Sequence, residues 1–284
     1  MIIYKKPGEL YGFLEKRKKE NGQIGFVPTM GALHAGHLSL VSEAKKQNKI
    51  VICSIFVNPT QFNDPEDFNK YPVTLEQDIL VFEEAGCHVL FIPSVQDIYP
   101  SGISHLQHYE LGFIETVLEG KFRPGHFQGV CQVMHRLLEI IVPNNLYLGQ
   151  KDYQQCMVIK KLIELIGLND RIKVNICPTL REDDGLAMSS RNTRLLPDDR
   201  KKAATISAAL SFIKENLKAG DTKKIKNKAK EMLLQKEFQI DYIEIADANT
   251  LELVEKWDGK QKIVALVAAF LNKVRLIDNM VLNT

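Results

Sequence analysis

No apolar run in the 284 residues approaches the roughly 18 needed to cross a bilayer. The longest candidates, Ile50 to Val57 and Ile263 to Leu271, are strand-sized. Residues Met1 to Leu10 lack the basic region, apolar core and small-residue cleavage site of a leader, so the expected location is cytoplasmic. An excess of one charge is also missing. Lys and Arg number 37 against 35 Asp and Glu, a net +2, which argues against a dedicated nucleic-acid binder. The five cysteines (Cys53, Cys87, Cys131, Cys156, Cys177) are widely spaced and form no C-x-x-C pair, so zinc or redox work has no framework here. Each has apolar neighbours, and buried reduced thiols are expected. There is no internal repeat and no low-complexity tract. What is present is ordinary for a globular chain: 45% hydrophobic and 25% charged residues.

The chain is organised around Val27-Pro28-Thr29-Met30-Gly31-Ala32-Leu33-His34-Ala35-Gly36-His37. The apolar run Ile24 to Val27 leads in and a helical pattern, Leu38 to Lys46, leads out. Pro28, Gly31 and Gly36 separate the two periodicities, which predicts strand, tight loop and helix. A helix start offers unpaired N–H groups and the positive end of the dipole, and both suit a phosphate. Gly36 lets a ligand approach the backbone. His34 and His37 add imidazole donors that can meet charge developing on a phosphoryl group. From composition, an H-x-G-H string is expected only about 0.01 times in such a chain. Two histidines serving merely as a helix cap is the plainer alternative.

The rest of the chain reads as alternating strands and helices. Pro7 to Asn21 is a helix with a basic end at Lys16 to Lys19, where cations oppose the dipole favourably. Ile50 to Val57 is a strand apolar on both faces, as a buried parallel strand should be, and it opens into Asn58-Pro59-Thr60-Gln61-Phe62. Leu75 to Ala85 is helical and carries Asp78; Cys87 to Pro93 is a strand. Ser94 to Gly112 is irregular. Its His105 and His108 have no third ligand at a clear spacing, so a loop is expected rather than a metal site. Arg123 to Phe127 precedes a helix, Gln128 to Ile141. Asn145 to Leu148 is a strand that opens into Gly149-Gln150-Lys151-Asp152, followed by a helix, Tyr153 to Ile166, and a strand, Arg171 to Ile176. This alternation predicts an α/β fold with a doubly wound parallel sheet. After Pro178 the pattern changes. A polar loop, Arg181 to Arg194, precedes helices near Asp198 to Ala219 and Thr222 to Gln235. Strands Ile240 to Ala246, Lys262 to Phe270 and Lys273 to Asp278 close the chain, with a hairpin turn at Leu271-Asn272-Lys273. The expected division is residues 1–178 and a smaller α+β domain, 179–284.

Four segments stand together: Met30 to His37, Asn58 to Phe62, Gly149 to Gln155, and Met188-Ser189-Ser190-Arg191-Asn192. In this order and spacing the chain resembles the pantothenate synthetase (pantoate–β-alanine ligase) family, within the HxGH nucleotidyltransferases. The resemblance implies a Rossmann-like domain with a smaller C-terminal domain covering the active site, and a cytoplasmic homodimer. It implies a two-step reaction: pantoate and ATP with Mg²⁺ give pantoyl adenylate and pyrophosphate, then the β-alanine amine attacks the acyl carbon, giving pantothenate and AMP. It also implies residue roles. Met30, Gly31, Ala32, Leu33, His34, Ala35, Gly36 and His37 would line ATP, with His34 and His37 on the phosphates, His37 donating a proton or only stabilising charge. Gly149, Gln150, Lys151 and Asp152 would hold ATP, Lys151 at the phosphates and Asp152 at the ribose hydroxyls. Leu180 would lie beside the adenine. Met188, Ser189, Ser190 and Arg191 resemble the mobile loop of class I synthetases, with Arg191 the cation for the leaving group. Gln61 and Gln155 would bind pantoate, whose hydroxyls and carboxylate suit amides that both donate and accept, with Arg123 and His126 beside it. Asp78 would be a carboxylate on the Mg²⁺ side. Gln61 could instead cap a turn, and Asp152 could cap the helix that follows it.

Two other functions compete. An adenylyltransferase for a phosphorylated acceptor would need a cationic pocket where this chain has Gln61 and Gln155. A nucleotide- or RNA-binding module derived from a synthetase is disfavoured by the near-neutral charge.

Overall fold

The computed structural model describes residues 1–19 and 22–283; the expected helix end at Asn21 lies outside them. Along the first part of the chain the elements are β1 (Ile2–Tyr4), α1 (Pro7–Lys19), β2 (Ile24–Thr29), α2 (Ala35–Gln47), β3 (Ile50–Ile55), α3 (Pro65–Asn69), α4 (Leu75–Glu84), β4 (Val89–Phe91), α5 (Val95–Ile98), α6 (Glu119–Phe122), α7 (His126–Ile141), β5 (Asn145–Gly149), α8 (Tyr153–Leu165) and β6 (Lys173–Cys177). The described residues divide into two compact units.

The first unit comprises Met1–Glu115, Arg123–Gly149 and Gln155–Pro178. Its sheet has six strands in the order β1-β4-β3-β2-β5-β6, all paired in parallel. Parallel pairing demands crossovers, and the helices between the strands supply them. The sequence predicts five of these strands. The sixth, β1, is three residues long with exposed isoleucines, too short for a periodic signal. One core joins Leu40, Val41 and Ala44 of α2 and Phe82 of α4 to Val27, Val51, Cys53 and Leu90 of the sheet. Each large side chain in it contributes about 1.5–3 kcal/mol by leaving water. At the amino edge, Asn48 Nδ2 donates to Tyr147 Oη (2.8 Å) and Asn145 Nδ2 donates to Asn48 Oδ1 (2.8 Å), tying the end of α2 to β5. A Cβ on Gly25 would lie 2.7 Å from Asn48 Nδ2, so this network needs a glycine on β2. All five cysteines are buried and unbridged. Residues 94–112 carry the short α5; His105 and His108 lie in loop, and no group of three potential metal-binding side chains occurs among the described residues.

The strand order marks the edge where a ligand is expected. From β2 the chain runs through α2 to β3 on one side, while β5 lies on the other side of β2. The direction of winding reverses between β2 and β5, and ligands of open α/β sheets sit at the carboxyl ends of strands at such a reversal. The histidine loop, the Asn58 to Gln61 turn and Gly149 follow the carboxyl ends of β2, β3 and β5 or lie there, on three adjacent strands.

The second unit comprises Thr116–Phe122, Gln150–Gln154 and Thr179–Thr284, of which residue 284 is not described. After Thr179 it contains α9 (Pro197–Ala203), α10 (Thr205–Asn216), β7 (Gly220–Asp221), α11 (Lys223–Leu234), β8 (Gln239–Asp247), β9 (Lys256–Trp257), β10 (Ile263–Leu271) and β11 (Val274–Val281). The long strands form an antiparallel sheet, β11-β10-β8. Its core joins Ile206, Leu210 and Ile213 of α10 and Leu233 of α11 to Ile243, Ile245, Ala265, Val267 and Leu276. The single helix expected near Asp198 to Ala219 is two helices that meet at Ala204. The expected turn between β10 and β11 is present, with Asn272 at φ 50°, a left-handed position that asparagine tolerates. The expected loop after Arg181 begins as a small hairpin: Arg181 bridges Ala187, Glu182 N–H donates to Leu186 O (2.8 Å), and Gly185 turns at φ 88°.

Candidate active site

The loop after β2 is held from below by a buried carboxylate. Asp78, 2% exposed, accepts from the Ala32 N–H on Oδ2 and the Leu33 N–H on Oδ1, both at 2.9 Å, and from the Thr74 hydroxyl at 3.2 Å. These bonds fix Ala32 at φ 50°, a conformation costly for a residue with a Cβ. Gly31, at φ 83°, could carry no side chain: its Cβ would lie 2.9 Å from Asp78 Oδ2 and 3.2 Å from Ile55 Cγ2. The resemblance implies a place for Asp78 on the Mg²⁺ side; in the structure its carboxylate clamps the loop.

The two histidines then start α2. His34 is the N-cap, with Nδ1 accepting from the Gly36 N–H at 3.1 Å; the His34 N–H donates to His37 Nδ1 at 3.3 Å. This is a capping box built from imidazoles in place of Ser and Glu. The cap and a chemical role are therefore not alternatives. With Nδ1 accepting on each ring, a neutral imidazole carries its proton on Nε2. The rings lie 4.1 Å apart between centroids. The loop thus sets two imidazole Nε2–H donors at the start of a 13-residue helix, where the dipole favours anions.

Beside it, the turn after β3 is an Asn58 cap followed by Pro59, a recognisable start signal. Asn58 is buried. Its Nδ2 donates to Gln61 Oε1 (3.2 Å) and Gly129 O (3.1 Å), and its Oδ1 accepts from the Tyr99 hydroxyl (2.8 Å). Gln61 Nε2 donates to Met30 Sδ at 3.1 Å. The amide of Gln61 is therefore oriented, oxygen inward and N–H groups toward the histidine loop. Gly129 of α7 allows this approach, because a Cβ there would collide with the Thr60 carbonyl and Gln61 N. His126 starts α7, with Nδ1 2.8 Å from Gln61 O and Nε2 3.3 Å from Arg123 Nη1. A guanidinium only donates, so His126 Nε2 accepts and its Nδ1–H donates to Gln61 O. Gln155, on the first turn of α8, is half-buried, and its amide makes no hydrogen bond among the described residues.

In the second unit, Gln150–Asp152 is a single 3-10 turn. Asn279 of β11, 2% exposed, donates from Nδ2 to Gln150 O (2.9 Å) and Lys151 O (2.8 Å), and Gln150 Nε2 donates to Asn279 Oδ1 (3.3 Å). The Lys151 ammonium and Asp152 carboxylate make no hydrogen bond among the described residues. The hairpin from Leu180 to Met188 closes with the Met188 N–H donating to Leu180 O (3.0 Å) and leaves Leu180 40% exposed, an apolar surface available to a flat ring. Arg181 forks onto Asp278 (2.6 and 3.0 Å). Burial pushes the Asp278 carboxyl above the usual range, against the pull of Arg181. Ser189 caps the turn Ser190–Arg194, its Oγ accepting from the Arg191 N–H at 3.3 Å.

The description Pantoate-beta-alanine ligase belongs to the family model that matches residues 2–281. A pantothenate synthetase of Cytophaga hutchinsonii is 45% identical over 272 residues, 95% of each chain. Another, of Azobacteroides pseudotrichonymphae, is 44% identical over 282 residues, 99% of each chain. The crystal structure of pantothenate synthetase from Thermus thermophilus superposes with TM-score 0.91 at 38% identity over the whole of both chains. That of the Francisella tularensis pantoate–β-alanine ligase, described as complexed with β-γ ATP and β-alanine, gives 0.82 at 40% identity, covering all of this chain and 98% of that one. This chain belongs to the pantoate–β-alanine ligase family.

Among the residues the sequence assigns to a ligase of this family, the structure joins Met30 to Gln61, Gln61 to His126, His126 to Arg123, and His34 to His37. It joins Gln150 and Lys151 to Asn279, and Leu180 to Met188. The residues that hold these positions are the ones sequence reasoning misses. Asn58 carries a signal, the Asn-Pro start of a turn. Tyr99, Arg181, Asp278 and Asn279 carry none, because the bonds from Tyr99 to Asn58, Arg181 to Asp278 and Asn279 to Gln150 span 41, 97 and 129 residues.

Proposed function

We propose that this ligase condenses pantoate with β-alanine at the expense of ATP, through pantoyl adenylate. A pantoate carboxylate oxygen attacks the α-phosphorus and the bond to pyrophosphate breaks. The β-alanine amine then attacks the acyl carbon, loses a proton, and AMP leaves. The observation that carries this is the imidazole capping box, two Nε2–H donors at a helix start on the central strand. A carboxylate attacking a polyanion needs preorganised positive charge and alignment rather than a strong base.

His34 and His37 stabilise charge on the transferring phosphoryl group, with Met30, Gly31, Ala32, Leu33, Ala35 and Gly36 lining ATP. Lys151 meets the phosphates, Asp152 the ribose, Leu180 the adenine, and Arg191 the departing pyrophosphate, with Met188, Ser189, Ser190, Gly149 and Gln150 around them. Gln61 presents N–H groups to pantoate oxygens because Asn58 holds its carbonyl. Gln155 supplies the second amide. His126 and Arg123 act on pantoate chiefly by holding Gln61.

Mg²⁺ would be carried by the triphosphate. No three His, Cys, Asp or Glu side chains gather as a cage among the described residues. When bound, the ion neutralises phosphate charge. Asp78 keeps a place on that side as the carboxylate behind the loop, three of its acceptor sites already used. We read the enzyme as a cytoplasmic homodimer on the family resemblance; no described helix is long and apolar enough to cross a membrane.

The test is product analysis with pantoate, β-alanine and ATP. AMP and pantothenate are expected, with ATP–pyrophosphate exchange that requires pantoate; ADP and phosphate would overturn the adenylate route.

A further inference from the structure

Strand β11 supplies none of the ligand-facing residues named above, yet two of its consecutive residues hold both nucleotide-facing segments of the second unit. Period-two alternation puts Val274, Leu276, Asp278 and Met280 on the face that packs into the core, and Arg275, Ile277 and Asn279 on the other. Asn279 reaches the Gln150–Asp152 turn and spends its whole amide there, donating to two consecutive carbonyls and accepting from the Gln150 side chain. A 3-10 turn of three residues has poor internal hydrogen bonding, so an external clamp of this kind sets its geometry. Asp278 points the other way. It takes the Arg181 fork and accepts from the Asn279 N–H at 2.8 Å, while Arg181 Nη2 donates to Asn279 O at 3.3 Å. The main chain of Asn279 is thus pinned by the arginine that begins the Leu180 to Met188 hairpin. A continuous hydrogen-bonded path runs from that hairpin through Arg181, Asp278 and Asn279 to Lys151.

We propose that Asn279 is a positioning residue for ATP: by clamping the Gln150 and Lys151 carbonyls it aims Lys151 and Asp152, and the Arg181–Asp278 pair holds it in register with the hairpin. This rests on the ATP role proposed for Lys151 and Asp152. The side chains of those two residues make no hydrogen bond among the described residues, so their direction comes from the backbone beneath them.

The test compares ATP and pantoate affinity by calorimetry in Asn279→Ala and Asn279→Ser, each with its melting temperature. Asn279→Ala should weaken ATP about tenfold, the equivalent of losing roughly one net hydrogen bond's worth of placement. Pantoate affinity should stay within about twofold of wild type. Asn279→Ser keeps one small donor, folds in the same space, and should fall between the two. In a Lys151→Ala, Asp152→Ala background the Asn279→Ala change should add less than about twofold, because the groups it aims are gone. A full tenfold loss in that background, equal losses of ATP and pantoate, or unchanged ATP affinity in a folded Asn279→Ala protein would each overturn the proposal. If Lys151→Ala with Asp152→Ala alone leaves ATP affinity at the wild-type value, the ATP role of the turn is wrong and the positioning role falls with it. If those changes weaken ATP and Asn279→Ala does not, only the positioning role fails.

Discussion

The two units build the segments proposed to face the ligands by different means. In the first, the segments are the continuations of adjacent parallel strands β2 and β3 and the last residue of β5, Gly149, and topology alone brings them to one edge. Local bonds then finish the shape: the imidazole capping box, the Asn58 cap, and one carboxylate, Asp78, under two backbone N–H groups. In the second unit the turn Gln150–Asp152 and the hairpin from Leu180 to Met188 lie far apart in sequence from the strand that holds them. Side chains of β11 do there what strand order does in the first unit. A site made by topology should lose chemistry when a donor is removed; a site made by side-chain clamps should lose placement.

The sharpest test of the first half is His34→Ala. One preorganised donor commonly carries about 10²–10³ in rate, and the helix also loses its N-cap, worth about 0.5–2 kcal/mol. Adenylate formation followed in a single turnover should fall by that factor with the fold intact; wild-type adenylation would remove His34 from the mechanism. Asp78→Asn comes next. It sets an NH₂ group against a backbone N–H in a buried place, and a buried unsatisfied donor costs about 1–3 kcal/mol. Urea unfolding should show that loss, and ATP–pyrophosphate exchange should slow. Unchanged exchange would mean that the Ala32–Leu33 loop keeps its shape without the carboxylate, and that Asp78 does not hold the site.

This difference also explains what could be read in advance. The alternation of apolar strands and amphipathic helices is a short-range periodicity, so the parallel sheet and the loops at its carboxyl edge were legible in the sequence. The glycines of the histidine loop were legible for the same reason: Gly31 marks a turn by its type alone. The hairpin from Leu180 to Met188 was not, because its polar run Glu182-Asp183-Asp184-Gly185 has no strand period, and the Arg181–Asp278 fork that steadies it spans 97 residues. The break at Ala204 was hidden too, since no Gly or Pro stands there and the helical pattern continues through it. The role of Asp78 was legible only as a carboxylate in a helix; its service to Ala32 and Leu33 depends on how α4 packs.

Neighbouring glutamines on α8 narrow the comparison to one peptide bond. Gln154 belongs to the second unit and is fully employed, its Oε1 accepting from the Glu119 N–H (2.9 Å) and its Nε2 donating to Val117 O (2.8 Å). Gln155 belongs to the first, and its amide is unpaired among the described residues. Gln155→Glu replaces two donors with a negative charge. It should weaken pantoate by about 1.5–3 kcal/mol, the scale of a hydrogen bond to a charged group, and leave ATP unaffected. Gln154→Glu should instead lower the melting temperature. Calorimetric titration of both ligands decides it: normal pantoate binding by Gln155→Glu, or equal losses of ATP and pantoate, would break the division.

The smallest effect belongs to the outer face of the hairpin. Arg181 holds it from within, through a buried carboxylate; Arg200 holds it from without, through Asp184. The Arg200 guanidinium keeps the Asp184 carboxyl below the usual carboxylate range, helped by the Leu186 N–H. A carboxyl lowered on folding stabilises the fold above its unfolded value, about 3.9, and that stability is lost as pH falls through the lower folded value. The pair is partly in water, where such bridges contribute about 0–1 kcal/mol and are screened by salt. Asp184→Asn should therefore change stability at neutral pH by less than about 1 kcal/mol and flatten the acid limb slightly below about pH 4. ATP affinity should hold, because Asp278 still grips Arg181. A loss of ATP affinity in Asp184→Asn comparable to that of Asn279→Ala would mean that the hairpin is set from outside, and that placement in this unit is not the work of β11.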